Sequence, residues 1–386
     1  MENDADRSDG GAAERESAVF RAELRSWLAA HLTPEVAAAG ERNLEGDSLD
    51  LLRDWNRTLA DGGWAAPAWP AEYGGRDATV DEQLAYLEET SRARAPGPVN
   101  VIGVSNIAPA IMRFGTPEQQ QRFLRPMLRG DEIWSQGMSE PDAGSDLASL
   151  RTAAMEDGDD FVINGQKTWN SLGHHADWCQ LYVRTDSTAN KHAGITCLLV
   201  DLRTPGIEAR PLKTITGGHS FAELFFTDAR VPRSAMLGPL HGGWTVAMTT
   251  LSFERAGVAR LHLSLARRLD DLLADPRTGA GRRDPILRQR LARVYAAIRA
   301  MRYLTERSLA DSSAAAGAAG SLAKLSWAHC DQELAELAVD LIGLEALRAD
   351  DRWAENLLAV RQASIAGGTT EINKNIVGEH VLGLPR

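Results

Sequence analysis

The stretch Gln136-Gly137-Met138-Ser139-Glu140-Pro141-Asp142-Ala143-Gly144-Ser145-Asp146 marks where the chain changes character. Small residues, hydroxyls and a proline break stand together there. Such a loop presents backbone N–H groups and hydroxyls at close range to a polar ligand. Taken alone it reads equally well as a polar linker between domains. Before it, from Ala18 to about Gly130, the pattern is helical, with Phe20, Leu24, Trp27 and Leu28 recurring at helical spacing. Thr116-Pro117-Glu118-Gln119 predicts a helix start: Thr as N-cap, Pro at the first helical position, Gln closing a capping box. That helix runs toward Gly130. Gly62-Gly63-Trp64 and Trp69-Pro70-Ala71-Glu72-Tyr73-Gly74-Gly75 predict a turn-rich loop. After the dividing stretch, from about Asp131 to Leu237, strands dominate. Asn164-Gly165, following Phe161-Val162-Ile163, predicts a hairpin. Residues 180–184, 195–200 and 224–226 read as further strands, punctuated as in a small β-barrel or sandwich. From Gly243 the texture is helical again, with one helix from near Trp244, a second over about 285–310 and a third over about 320–342. The Ala/Gly/Ser-rich segment 312–320 reads as a connector. The simplest packing is a helical body in two sequence halves with a β insert.

The 386 residues allow about two or three domains and a large core. Lys plus Arg total 42 against 53 Asp plus Glu, a formal charge of −11 that repels phosphate backbones and anionic membranes. No nucleic-acid or membrane partner is therefore expected, and no apolar run of transmembrane length occurs. Residues 1–16 are acidic and lack an apolar signal region, so they predict a disordered tail of a cytoplasmic protein. Cys179, Cys197 and Cys330 are scattered and odd in number, which suggests reduced buried thiols and offers neither a disulfide framework nor metal spacing. No GxGxxG follows a strand, and Walker A, HExxH, GxSxG and CxxC motifs are absent from the sequence.

About twenty-five residues after the dividing stretch comes Ile163-Asn164-Gly165-Gln166-Lys167-Thr168-Trp169-Asn170-Ser171. The two segments together resemble the (S/T)EPxAGSD and NGxKxWxT motifs of the acyl-CoA dehydrogenase family. Gly242-Gly243-Trp244, Phe253-Glu254-Arg255 and Gly368-Thr369-Thr370-Glu371-Ile372 extend the resemblance in family order from Trp64 to the C-terminus. The resemblance implies an α+β fold: an N-terminal helical domain (17–131), a central β-barrel domain (132–237) and a C-terminal four-helix bundle (238–386). It implies non-covalent FAD between the β domain and the C-terminal helices. Gln136, Met138 and Ser139 would line the flavin ring, with Trp169 and Ser171 on the barrel side. Trp169 suits packing against a ring, although a core aromatic is the alternative reading, and Ser171 can donate to the flavin edge. Gly144 and Ser145 would lie on the route of the CoA moiety, and Thr369 and Glu371 would support the FAD.

The implied reaction is α,β-dehydrogenation of an acyl thioester. A carboxylate takes the α-proton and the β-hydrogen leaves as hydride. That chemistry needs a base close to Cα, donors at the thioester oxygen and exclusion of water. Many family members carry the base as a Glu just before the Gly-Thr of the C-terminal motif; here that position is Gly367. Others carry it on the helix after Gly-Gly-Trp, directly before an arginine, where this chain has Glu254-Arg255. Glu254 is therefore the expected base, against the plainer reading of a surface glutamate paired to an arginine. Arg255 would orient the site, and the Gly367 amide would donate to the thioester.

Family homo-oligomers complete each FAD site from a neighbouring subunit, with an Arg before Phe-Gly and a Gln-x-x-Gly-Gly-x-Gly turn. Here the first region reads Pro276-Arg277-Thr278-Gly279-Ala280-Gly281-Arg282, without Phe-Gly. The second reads Asp340-Leu341-Ile342-Gly343-Leu344-Glu345-Ala346. An aspartate repels a pyrophosphate, and a leucine blocks the backbone approach that glycine allows. A hetero-oligomer with a homologous subunit is expected, acting on an acyl-CoA or carrier-protein-bound acyl group and passing electrons to an electron-transfer flavoprotein. Rival readings are a flavin monooxygenase or oxidase on the same fold, and a non-catalytic subunit.

Overall fold

The structure is a computed structural model that describes residues 5–41, 47–256, 261–310 and 315–385, with side chains at 16–41, 47–253, 261–307 and 320–385. It divides into two compact units, Met1–Thr214 with Gly218–Thr250, and Ile215–Gly217 with Leu251–Arg386.

The first unit opens with α1 (Ala5–His31), α2 (Pro34–Ala39), α3 (Asp47–Asp61), α4 (Val80–Ala93), α5 (Ala108–Phe114) and α6 (Pro117–Arg129). Phe20, Leu24 and Leu28 form the buried stripe of α1. Phe20 meets Trp64 edge-on at 5.2 Å between centroids, and the Arg76 guanidinium covers the Trp64 ring at 3.6 Å. Each such fully buried large side chain stabilises by roughly 1.5–3 kcal/mol relative to an exposed one. Glu89, buried in α4, is held by Arg21, Arg25 and Arg92. The start of α6 is as expected: Thr116 caps it, Gln119 closes the box, and Gly130 ends it at φ 70°. Ala5–His31 forms one helix, so it takes in most of the segment read as a disordered tail; Ala12-Ala13-Glu14-Arg15-Glu16 are strong helix formers. Met1–Asp4 of that tail lie outside the described residues.

The same unit continues with β1 (Trp134–Gly137), β2 (Ala153–Asp157), β3 (Asp160–Ser171), β4 (Trp178–Arg184), β5 (Ile195–Asp201), β6 (Ile207–Leu212) and β7 (Phe221–Pro232). They form one seven-stranded sheet in the order β1-β4-β2-β3-β7-β6, with β5 paired to β4. Phe161, Ile163, Leu181, Leu198, Leu224 and Phe226 fill a core against it. The β2–β3 turn falls at Asp157–Asp160 around Gly158 at φ 62°, and not at Asn164-Gly165, which lies within β3. Two causes are visible. Gly165 sits at φ 148° beside a register shift, and a Cβ there would lie 2.7 Å from Thr152 Cα. The glycine thus serves a bulge and a close strand approach.

A helix α7 (Gly243–Ala256) begins against β5, where Gly243 allows a close approach: a Cβ would lie 2.7 Å from the Thr196 carbonyl carbon. Farther along it, Thr250 is buried, with its Oγ1 3.2 Å from both Gln180 Nε2 and the Tyr182 hydroxyl. The second unit holds α8 (Leu261–Ala274), α9 (Pro285–Ala310), α10 (Ala315–Ile342), α11 (Arg352–Ala359) and α12 (Thr370–His380). Central in it, α10 packs on α8, α9, α11 and α12. Leu265, Leu269, Val294, Ile298, Leu334, Leu337 and Trp353 make the core. The connector expected over 312–320 is helical from Ala315, because alanine outweighs the cost of the glycines; residues 312–314 lie outside the described residues.

Candidate active site

The end of β1 and the end of β3 are laced together by side chains. Ser135 Oγ donates to the Ser171 carbonyl at 2.8 Å, and Asn170 Nδ2 to the Gln136 carbonyl at 2.7 Å. One step on, the Thr168 amide donates to the Ser139 carbonyl at 2.9 Å. Lys167, with no exposed surface, donates to the Met138 carbonyl at 3.0 Å and to Glu140 Oε1 at 2.8 Å. Glu140 also accepts the amides of Arg151 at 2.6 Å and Thr152 at 2.8 Å. Burial alone would raise the Glu140 carboxyl, but the Lys167 charge and these donors hold it below its ordinary value. Gln136, Met138, Ser139, Trp169 and Ser171 are thereby brought to one corner.

Trp169 is presented there in an unusual way. The β3–β7 register shifts between Lys167 and Asn170, and Trp169 adopts φ 61°, a region costly for a bulky side chain. The residue is 61% exposed, with its ring supported edge-on by Phe221 at 5.9 Å. The core alternative for Trp169 is thus excluded. Two buried atoms of this corner, Gln136 Nε2 and Asn170 Oδ1, have no hydrogen-bond partner among the described residues. Gly144 and Ser145 are exposed on the loop after Ala143, and a Cβ on Gly144 would meet open space.

In the second unit, Gly367 and Gly368 have φ 65° and 87° and lead into α12. Thr369 caps that helix, accepting the Ile372 amide at 3.2 Å. Buried Asn373 donates to the carbonyls of Gly368 at 2.8 Å and Thr369 at 3.0 Å, which fixes the turn. Gly367 and Glu371 are exposed. Glu254 and Arg255 belong to α7, but their side chains lie outside the described residues. Arg277 is bonded within its own chain to Asp275 and Asp351, Asp340 to Arg290, and Leu344 stands 86% exposed.

Sequence reasoning did not single out Lys167, Glu140 or Asn170 individually. The signal was present: an acid in one motif and a base in the other, both within short polar segments flanked by strands.

Comparison with known proteins gives this corner its context. Models of the acyl-CoA dehydrogenase N-terminal, middle and C-terminal domains match residues 14–131, 135–229 and 241–382. The chain belongs to the acyl-CoA dehydrogenase family. Acyl-CoA dehydrogenase IpdE1 of Mycobacterium tuberculosis is 42% identical over 376 residues, covering 95% of this chain and 97% of that one. The structure of the Tcur3481-Tcur3483 steroid ACAD matches with a TM-score of 0.84 at 30% identity, covering 96% of this chain and 98% of that one. The ChsE4-ChsE5 complex from Mycobacterium tuberculosis matches with a TM-score of 0.81 at 31% identity, covering 96% and 98%. The chain is an acyl-CoA dehydrogenase of three domains, helical at both ends with a sheet between. Among the described residues no helix is long and apolar enough to cross a membrane.

Members of this family are flavoproteins, and the Trp169 corner fits a flavin. It offers an uncovered aromatic face, two buried polar atoms with unmet hydrogen-bonding capacity, and open space at Gly144.

Proposed function

We propose that this chain holds FAD and oxidises the Cα–Cβ bond of a bulky, ring-bearing acyl-CoA of steroid origin. The observation that carries the reading is Trp169, held at φ 61° with its indole exposed next to the partnerless Gln136 Nε2. Strain of this kind persists where the surrounding structure over-determines it, and it concentrates at ligand sites. Gln136, Met138 and Ser139 line the flavin from the β1 side, and Trp169 and Ser171 from the β3 side. Gly144 and Ser145 pass the CoA arm, while Thr369 and Glu371 support the cofactor from the start of α12. When bound, FAD supplies the two-electron oxidant that accepts the β-hydrogen.

The chain's own groups do the rest. Position 367 has no side chain, so it cannot supply the base; Glu254 on α7 takes the α-proton, and the C=C bond forms as the β-hydrogen leaves. The Gly367 amide donates to the thioester oxygen as it gains negative charge, and Arg255 orients the site. The electron acceptor we assign is an electron-transfer flavoprotein. Support for a steroid acyl group comes from the similarity to the Tcur3481-Tcur3483 steroid ACAD, and from the absence of a bulky residue at 367. Support for a homologous partner subunit comes from the ChsE4-ChsE5 complex and from the internal engagement of Arg277 and Asp340. The domains we assign are 17–131, 132–237 and 238–386.

The test is anaerobic. Protein purified alone and with a homologous partner is mixed with straight-chain, branched and steroid-fragment acyl-CoAs, and flavin absorbance is followed. Loss of the oxidised band with a ring-bearing acyl-CoA, faster than with any straight chain, supports the reading. A colourless protein that takes up no added FAD contradicts it.

A further inference from the structure

We infer that Lys167 is a positioning residue, whose buried ammonium latches the Met138–Glu140 segment to β3 and so fixes where Trp169 and Ser139 stand. The argument rests on the flavin reading above only for what the latch serves; the latch itself rests on geometry. Lys167 lies in a strand, yet it has no exposed surface. Its ammonium donates to a backbone carbonyl, Met138 O at 3.0 Å, and to a carboxylate, Glu140 Oε1 at 2.8 Å. Glu140 in turn accepts the Arg151 amide on Oε2 at 2.6 Å and the Thr152 amide on Oε1 at 2.8 Å. The loop end at Glu140 is closed by reciprocal backbone bonds with Ala143, at 3.0 and 3.1 Å. The Lys167–Glu140 pair therefore joins three pieces of chain: the exit of β1, the entry to β2 and the bulged end of β3.

The placement of that cation explains the bulge. Lys167 points inward to Glu140, the Thr168 amide bonds to Ser139, and the buried Asn170 side chain bonds to Gln136. Trp169 is the one residue of 167–170 that none of these bonds directs inward, and it is the one at φ 61° with its ring outside. With its neighbours held on both sides, it cannot relax to an extended conformation. Removing the Lys167 donors frees the Met138 carbonyl and lets residues 168–170 return toward regular strand. A buried ion pair contributes little net stability when replaced by neutral groups, yet it specifies conformation in some proteins, and here it acts as such a device.

Lys167→Met alone leaves Glu140 buried and unpaired and is expected to fold poorly. The informative variant is Glu140→Gln/Lys167→Met, studied as flavin-free protein by hydrogen exchange and then by FAD titration. The expected result is a thermal midpoint near that of the wild type, with exchange at the Glu140 and Thr168 amides faster by about tenfold or more and exchange across β4–β5 unchanged. FAD affinity then falls by about tenfold or more, a loss set by misplacement of groups that remain present. Wild-type exchange at Glu140 and Thr168 in the double variant overturns the latch. Equal acceleration across β4–β5 also overturns it, because the pair would then be general core support. Faster local exchange with unchanged FAD affinity overturns the link to cofactor placement. A wild type that takes up no FAD even together with its homologous partner subunit, while the exchange difference stands, supports the latch and overturns the flavin reading instead.

Discussion

Arg277 and Asp275 form a two-point contact inside one chain: Nε donates to Oδ1 at 3.0 Å and Nη2 to Oδ2 at 2.7 Å. Asp351 takes another of the guanidinium's protons, and Trp353 Nε1 donates to Asp275 Oδ2 at 3.1 Å. A guanidinium committed this way must break charge-assisted bonds before it can serve a ligand on another subunit.

That commitment predicts stoichiometry. Co-expressed with a homologous subunit, this chain should purify as a mixed oligomer with about one FAD per two chains, since the partner completes this chain's site while this chain, its Arg277 and Asp340 engaged internally, completes none. Flavin absorbance against total protein, with native mass spectrometry, checks it. A homo-oligomer saturated at one FAD per chain is the contrary outcome.

Acid stability should follow the same pair. The Arg277 guanidinium holds the Asp275 carboxyl well below the usual carboxylate range. Folded protein thus binds fewer protons than unfolded protein there, and stability present above about pH 4 is lost as pH falls through the folded-state value. Asp275→Asn should cost roughly 1.5–3 kcal/mol at neutral pH, the worth of hydrogen bonds to a charged group. Its thermal midpoint should also fall less steeply than that of the wild type below about pH 4. Parallel curves for the two proteins would remove Asp275 from the account.

Trp169→Gly separates strain from binding. Glycine accepts φ 61° freely, and the indole it removes is mostly exposed, so stability should hold or rise by up to about 1 kcal/mol. Flavin affinity should drop by about three- to tenfold, the worth of an aromatic contact. Thermal melts and FAD titration of the same preparation give both numbers; weaker folding with intact FAD binding would reverse the assignment.

Gly165 and Gly144 should respond oppositely to alanine. At Gly165 the new methyl meets Thr152 at 2.7 Å in a backbone conformation that disfavours side chains, so a loss of about 1–3 kcal/mol is expected. At Gly144 nothing lies within 4 Å, and stability should stay within about 0.5 kcal/mol. Denaturant melts of both variants decide it.

How much of this was legible from sequence depended on locality. The α6 boundaries follow from Thr116, Pro117, Gln119 and Gly130, all within the helix or its caps, and α9 begins at the Pro285 that marks it. Asn164-Gly165 misled because a bulge and a hairpin ask the same thing of glycine, and only the neighbouring Thr152 strand distinguishes them. β1 escaped notice because four residues carry no alternation, and Trp134 and Gln136 are placed by pairing with Trp178 and Gln180 far along the chain. The site motifs named their residues but not their geometry. Nothing local says that Lys167 turns inward or that Trp169 turns out; both depend on Glu140 and Gln136, which only the folded sheet brings near.

The most direct test of the central claim is the anaerobic reduction of bound flavin by a ring-bearing acyl-CoA in Glu254→Gln. The account predicts unchanged flavin content and melting behaviour, with the reduction rate lowered by about a hundred- to ten-thousandfold, the worth of a positioned general base. A variant that reduces its flavin at the wild-type rate would contradict the assignment of Glu254 as the base.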